Sequence, residues 1–81
     1  MNIFVAKLDY GVKSHELEDL FTAYGTVDSA KVINDRETGR SKGFGFVEMP
    51  NDDEAQRAIE ELDGSSVKGR NIVVKKAEAR R

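Results

Sequence analysis

Lys42-Gly43-Phe44-Gly45-Phe46-Val47-Glu48-Met49 brings two aromatic rings, two glycines and a cation together within one short stretch. Read with the period of two of a β-strand, Phe44, Phe46 and Glu48 share one face, and Gly45, Val47 and Met49 the other. The second set is ordinary for a buried strand face. Two phenylalanines on the first, next to Lys42, cost solubility unless a partner covers them. Gly43 and Gly45 are expected to remove side chains that would flank the rings, leaving flat plates. Such plates stack planar groups, and nucleic-acid bases are planar groups whose charged tail Lys42 can meet. The plainer alternative is a strand buried on both faces with two core phenylalanines.

Other chemistries find little support. The chain has no cysteine, so disulfides, thiol catalysis and cysteine-based metal sites are excluded. His15 stands near a helix start with no nucleophile arranged beside it, and the acidic residues lack the spacing of a metal-binding loop. Gly43-Phe44-Gly45 is not a phosphate loop, because no Gly-Lys-Ser/Thr follows it into a helix. The expectation is a non-enzyme with no cofactor and no metal. No apolar run approaches membrane-spanning length, and Met1-Asn2-Ile3 does not open a secretion signal. A reducing intracellular compartment, the cytoplasm by default, is expected.

The elements that must position the aromatic strand follow from periodicity. Asn2-Ile3-Phe4-Val5-Ala6-Lys7-Leu8 reads as a strand, with Ile3 and Val5 on one side, Phe4 and Ala6 on the other, and Leu8 returning to the core. Asp9-Tyr10-Gly11 is a turn. Ser14 is the expected cap of a first helix, whose stripe is Leu17, Leu20, Phe21 and Tyr24 and which Gly25 ends. A second strand runs from about Val27 to Asn34, with Ala30 and Val32 inward and Lys31 and Ile33 outward. The polar segment Asp35 to Ser41 leads into the aromatic strand, and Pro50 ends that strand. Asn51 to Glu54 resembles a capping box with bonds in both directions. Ala55, Ala58, Ile59 and Leu62 then form an inward stripe, broken at Asp63-Gly64. After a polar connection from Ser65 to Gly69, Arg70 to Lys76 is the last strand, with Ile72 and Val74 inward.

The order βαββαβ predicts an α+β, ferredoxin-like fold: a four-stranded antiparallel sheet with two helices on one face. The other face is then uncovered. Phe4, Phe44 and Phe46 fall on it, flanked by Lys31, Lys42 and Lys75. At 81 residues the chain is one small domain, close to the lower limit for a self-sufficient core.

A formal net charge of −2 argues at first against nucleic acid. Its distribution argues otherwise. The two expected helices hold eight acids and one base, Arg57, a net −7; the remainder holds twelve bases and seven acids, a net +5. The molecule is expected to be dipolar, with acidic helices and a basic opposite face.

These residues resemble the RNA recognition motif family over nearly the whole chain, about Asn2 to Ala77. Ile3 to Leu8 is similar to the family's hexapeptide, whose base-stacking second position is Phe4 here; Lys7 stands where Asn is usual. Lys42 to Met49 is similar to the family's octapeptide at every specified position but the last, where Met49 replaces an aromatic residue. The resemblance implies base and sugar contacts for Phe44 and Phe46 and a phosphate contact for Lys42. It also implies backbone and side-chain contacts to bases from Lys75, Lys76 and Ala77. Lys7, Lys31 and Arg40 complete the expected RNA-binding set. Bases are expected on Phe4 and Phe44, with Phe46 against the intervening sugars.

The resemblance is greatest to short single-domain RNA-binding proteins of bacteria, organelles and plants. The domain is expected over 1–78, with a short basic end at 79–81. The expected partner is single-stranded RNA, with single-stranded DNA kept open, bound by a monomer that does not engage membranes. The alternative is a protein-interaction module of the same fold that uses its acidic helix face.

Overall fold

The computed structural model describes residues 1–77. The expected domain edge at 78 and the basic end with Arg80 and Arg81 lie outside the described residues. Eight elements follow in order: β1 (Asn2–Ala6), α1 (Ser14–Thr22), β2 (Ser29–Asn34), β3 (Ser41–Glu48), α2 (Asp52–Leu62), β4 (Ser66–Val67), β5 (Arg70–Asn71) and β6 (Val73–Ala77). The main sheet has the order β2-β3-β1-β6, all neighbours antiparallel. This is the ferredoxin-like architecture expected from the sequence.

The core lies between the sheet and the two helices. Ile3 and Val5 of β1, Val47 of β3, Val74 of β6 and the adjacent Met49 are all at most 1% exposed, as are Leu17, Phe21, Ala55 and Ala58 from the helices. Leu8 returns to this core as expected. Met49 is fully buried, so an apolar residue of any shape that packs can stand there. Leu20 and Tyr24 are half-buried and pack at its edge.

Several local expectations change once the chain is folded. β2 begins at Ser29, not Val27, and carries an irregularity between Val32 and Asn34. Lys13, not Ser14, is the residue that precedes α1 as its cap. The Ser14 hydroxyl instead accepts a bond from the Val32 N–H of β2 at 3.0 Å, while Glu16 accepts from the Lys13 N–H at 2.9 Å. α1 does not end in a left-handed glycine: Ala23 stays right-handed, and the Tyr24 and Gly25 N–H groups bond the carbonyls of Phe21 and Thr22. Gly25 is there for space, since a Cβ on it would overlap the Glu54 side chain.

The box at the start of α2 is half made. The Asn51 side chain accepts from the Glu54 N–H at 2.9 Å, but the Glu54 carboxylate turns to the Thr26 N–H at 3.1 Å. The expected strand Arg70 to Lys76 is divided at Ile72. Its N–H bonds the Ser65 carbonyl at 2.9 Å, and its carbonyl accepts from the Gly64 N–H at 2.8 Å. Ser65 to Asn71 therefore contains a small hairpin, β4–β5, turned through Lys68 and Gly69 at φ 51° and 84°. Two consecutive left-handed residues are what a two-residue hairpin turn requires.

Candidate nucleic-acid interface

β1 and β3 are the central strands, and their pairing builds the site. Phe4 lies opposite Phe46, and Ala6 opposite Phe44. On the flanks, Lys31 of β2 lies opposite Phe46, and Lys75 of β6 opposite Phe4. Side chains opposite one another in a sheet share a face. Lys31, Phe46, Phe4 and Lys75 thus form one row across all four strands, on the side away from the helices. Phe44 stands in the neighbouring row with Ala6 and Val73.

The three rings touch one another without sharing a plane. Phe4 is 5.4 Å from Phe46 and 5.9 Å from Phe44, tilted by 50° and 44°; Phe44 meets Phe46 edge-on at 6.3 Å and 88°. Aromatic pairs prefer such arrangements because the positive ring edge seeks the negative face of its neighbour. The rings expected as flat plates are thus tilted against one another. Phe46 is the open ring, 42% exposed, while Phe4 and Phe44 are half-buried. The alternative of two core phenylalanines is excluded by that exposure.

The glycines serve a different purpose from the one expected. Both are buried, and neither flanks a ring on the open face. A Cβ on Gly45 would come within 2.5 Å of the Lys31 carbonyl and 3.0 Å of Leu17, so its absence lets β2 and α1 close onto β3. Gly43 has φ +85°, a conformation that suits glycine, and Tyr10 packs over it.

Two clefts flank the ring cluster. One, of about 230 Å³, runs beside Phe4 and Phe44 and is lined by Lys7, Tyr10, Lys42 and Arg70. The other, of about 370 Å³, lies beyond Phe46 and is lined by Asn2, Ser29, Lys31, Ile33, Glu48 and Ala77. Lys7, Lys31, Lys42, Lys75 and Ala77 are thus brought to the rings. Lys76 is not: it lies opposite Ile3, in register with the helix-covered face, although it is exposed. Arg40 is also set apart, on a cleft of about 520 Å³ with Lys13 and Ser41.

Tyr10, Arg70 and Glu48 line the same two clefts, although they are not among the residues expected to bind RNA. Tyr10 is 64% exposed, with the Arg70 guanidinium 6.0 Å from its ring centre. An aromatic residue in a turn beside glycine was the available signal for Tyr10. Arg70 reaches it only through the β4–β5 hairpin. The loop between β2 and β3 is ordered by Asp35, whose carboxylate accepts the Glu37 and Thr38 N–H groups at 2.7 and 3.2 Å. Those two bonds hold its carboxyl below the usual aspartate range.

The acidic helices face away from the rings. α1 and α2 carry eight acids against Arg57. The acids in the first turn of each favour the positive end of the helix dipole. Among the described residues, no helix is long and apolar enough to cross a membrane.

Comparison with known proteins places this arrangement in context. The sequence profile of the RNA recognition motif matches residues 3–73. RNA-binding protein CP31B, chloroplastic, from Arabidopsis thaliana is 51% identical over 78 residues, which is 96% of this chain and 27% of that protein. RbpB from Nostoc sp. is 48% identical over 80 residues, covering 99% of this chain and 78% of its own length. The crystal structure of RNA Binding Protein PG1 superposes with a TM-score of 0.95 at 53% identity, covering 100% of this chain and 98% of that one. The chain thus spans about a quarter of the length of the Arabidopsis relative.

Proposed function

The chain belongs to the RNA recognition motif family, and from that premise we propose that it binds single-stranded RNA by stacking bases on its open sheet face. The observation that carries this reading is the open Phe46 ring, in one row with Phe4, Lys31 and Lys75. Unpaired bases lie on the rings, and the lysines meet phosphates on either side. Since Phe46 is the open ring and Phe44 is half-buried and perpendicular to it, stacking is assigned to Phe4 and Phe46, with Phe44 against the sugars. This reverses the roles expected for Phe44 and Phe46. Lys7, Lys42 and Arg70 extend the basic margin along the neighbouring cleft.

The mechanism is physical. Each base stacked on an aromatic side chain contributes about 1–3 kcal/mol. Paired bases are already stacked on one another, so duplexes compete poorly. Single-stranded DNA presents the same stacking faces and phosphates and is expected to bind as well. The protein acts as a non-catalytic monomer within a reducing compartment; the Arabidopsis relative is named chloroplastic.

The test is the Phe4→Ala/Phe46→Ala double variant, titrated against a mixed-sequence single-stranded RNA while circular dichroism monitors folding. Affinity should fall by the stacking contribution of one or two bases, with the far-ultraviolet spectrum retained. A folded variant that binds as tightly as the parent would sink the stacking platform.

A further inference from the structure

We infer that Glu48, with Asn2 and Ser29 beside it, forms a guanine-reading subsite at the Phe46 end of the sheet. The inference rests on the proposed RNA platform and adds base selectivity to it. Glu48 follows Phe46 by two residues and so shares its face. The register sets it between Ser29 of β2 and Asn2 of β1. Among the described outward positions of the four-stranded sheet it is the one acid, in the company of Lys31, Lys42 and Lys75.

A carboxylate on that face repels a phosphate chain. A direct bond to a base is what offsets the repulsion, and the surroundings are shaped for one. The cleft beside Phe46 is walled by Ile33 and Lys31 and presents Asn2, Ser29 and Glu48, a small set of polar groups next to apolar ones. The Ser29 hydroxyl donates to one Glu48 oxygen at 3.3 Å, which orients the carboxylate and leaves its remaining lone pairs open.

The identity of the base follows from donor and acceptor chemistry. An ionised carboxylate only accepts hydrogen bonds, at two oxygens. Guanine offers two adjacent donors on its Watson–Crick edge, N1–H and N2–H. Adenine and cytosine set one amino donor beside an acceptor nitrogen, which would meet the second oxygen lone pair to lone pair. Uracil has a single N3–H between two carbonyls. Paired donors on a carboxylate are the stronger, charge-assisted kind. Guanine O6 is left for a donor, which the Asn2 amide and the Lys31 ammonium both supply.

The experiment compares wild type and Glu48→Gln on four oligouridine hexamers in which one central position is G, A, C or U, plus a fifth with inosine there. Glutamine keeps the size but replaces one acceptor oxygen with a donor. Wild type should bind the guanine hexamer at least about fivefold more tightly than the other three standard hexamers, and inosine, which lacks the N2 amino group, should lose most of that advantage. Glu48→Gln should bring the four standard hexamers within about twofold of one another. Equal wild-type affinities for the four bases overturn the subsite while leaving the platform standing. So does a guanine preference that survives in Glu48→Gln. Failure of wild type to bind any hexamer overturns the platform and the subsite together.

Discussion

Phe21 is fully buried from α1, whereas Phe46 is 42% exposed on β3, so truncating each separates stability from binding. Phe21→Ala should cost about 3–5 kcal/mol through the cavity it leaves. That is a large share of the stability of a domain this small. Guanidinium unfolding of the two single alanine variants checks the contrast: a loss below about 1 kcal/mol at Phe21 would place it outside the core. Lys7 offers a change in the other direction. Its φ of 60° lies in the left-handed region, which costs a lysine more than an asparagine. Lys7→Asn should therefore raise stability by about 0.5–1 kcal/mol. A shift of the denaturation midpoint to lower denaturant would show that the backbone there is not strained. Asparagine tolerates such a left-handed backbone better than lysine does.

Among the elements, the β2–β3 loop is held by a titrating group. Asp35 accepts the Glu37 and Thr38 N–H groups, and these bonds lower its proton affinity in the folded protein. A carboxyl whose folded value is depressed contributes stability above its unfolded value. That contribution is lost as pH falls through the folded one. The Glu37 and Thr38 amide signals should therefore titrate together, with a midpoint below the ordinary aspartate range, and should stop titrating in Asp35→Asn. A midpoint at or above that range, followed by nuclear magnetic resonance, contradicts the assignment. Glu16 is lowered in the same direction, first by the Lys13 N–H and then by Lys68, which lies 3.2 Å away. That second contact ties the β4–β5 hairpin to α1, although so exposed a pair adds little stability.

On the scale of the whole molecule, the net charge conceals a dipole. The helices carry a net −7, while lysines border the ring cluster on the opposite face. RNA binding should therefore depend on salt in spite of the acidic total. If three or four of Lys7, Lys31, Lys42 and Lys75 meet phosphates, the logarithm of the affinity should fall against the logarithm of salt concentration with a slope of roughly −2 to −3. Fluorescence anisotropy of a labelled single strand at several salt concentrations measures it. A slope near zero with affinity intact would remove the phosphates from the mechanism.

What the sequence by itself determined is what repeats along a chain. A period of two places Phe4, Phe44 and Phe46 on one face of β1 and β3, and Ile3, Val5 and Val47 on the other. A period near 3.6 marks Leu17, Phe21, Ala58 and Leu62 as core. These are local properties, and they suffice for the fold and for the aromatic centre of the site. Pairing decided the rest, because a polar group has several partners of equal local merit until the strands are in register. Ser14 is a sound helix cap in isolation, yet it bonds β2; Glu54 could close its own box, yet it bonds Thr26. Alternation puts Lys75 on the ring side and Lys76 on the helix side, but which ring Lys75 meets is decided by the alignment of β6 with β1, which sets it opposite Phe4. Arg70 approaches Tyr10, and Glu48 stands between Ser29 and Asn2, through contacts between residues far apart in the chain. Such neighbours are created when the sheet closes, so no spacing within the sequence announces them.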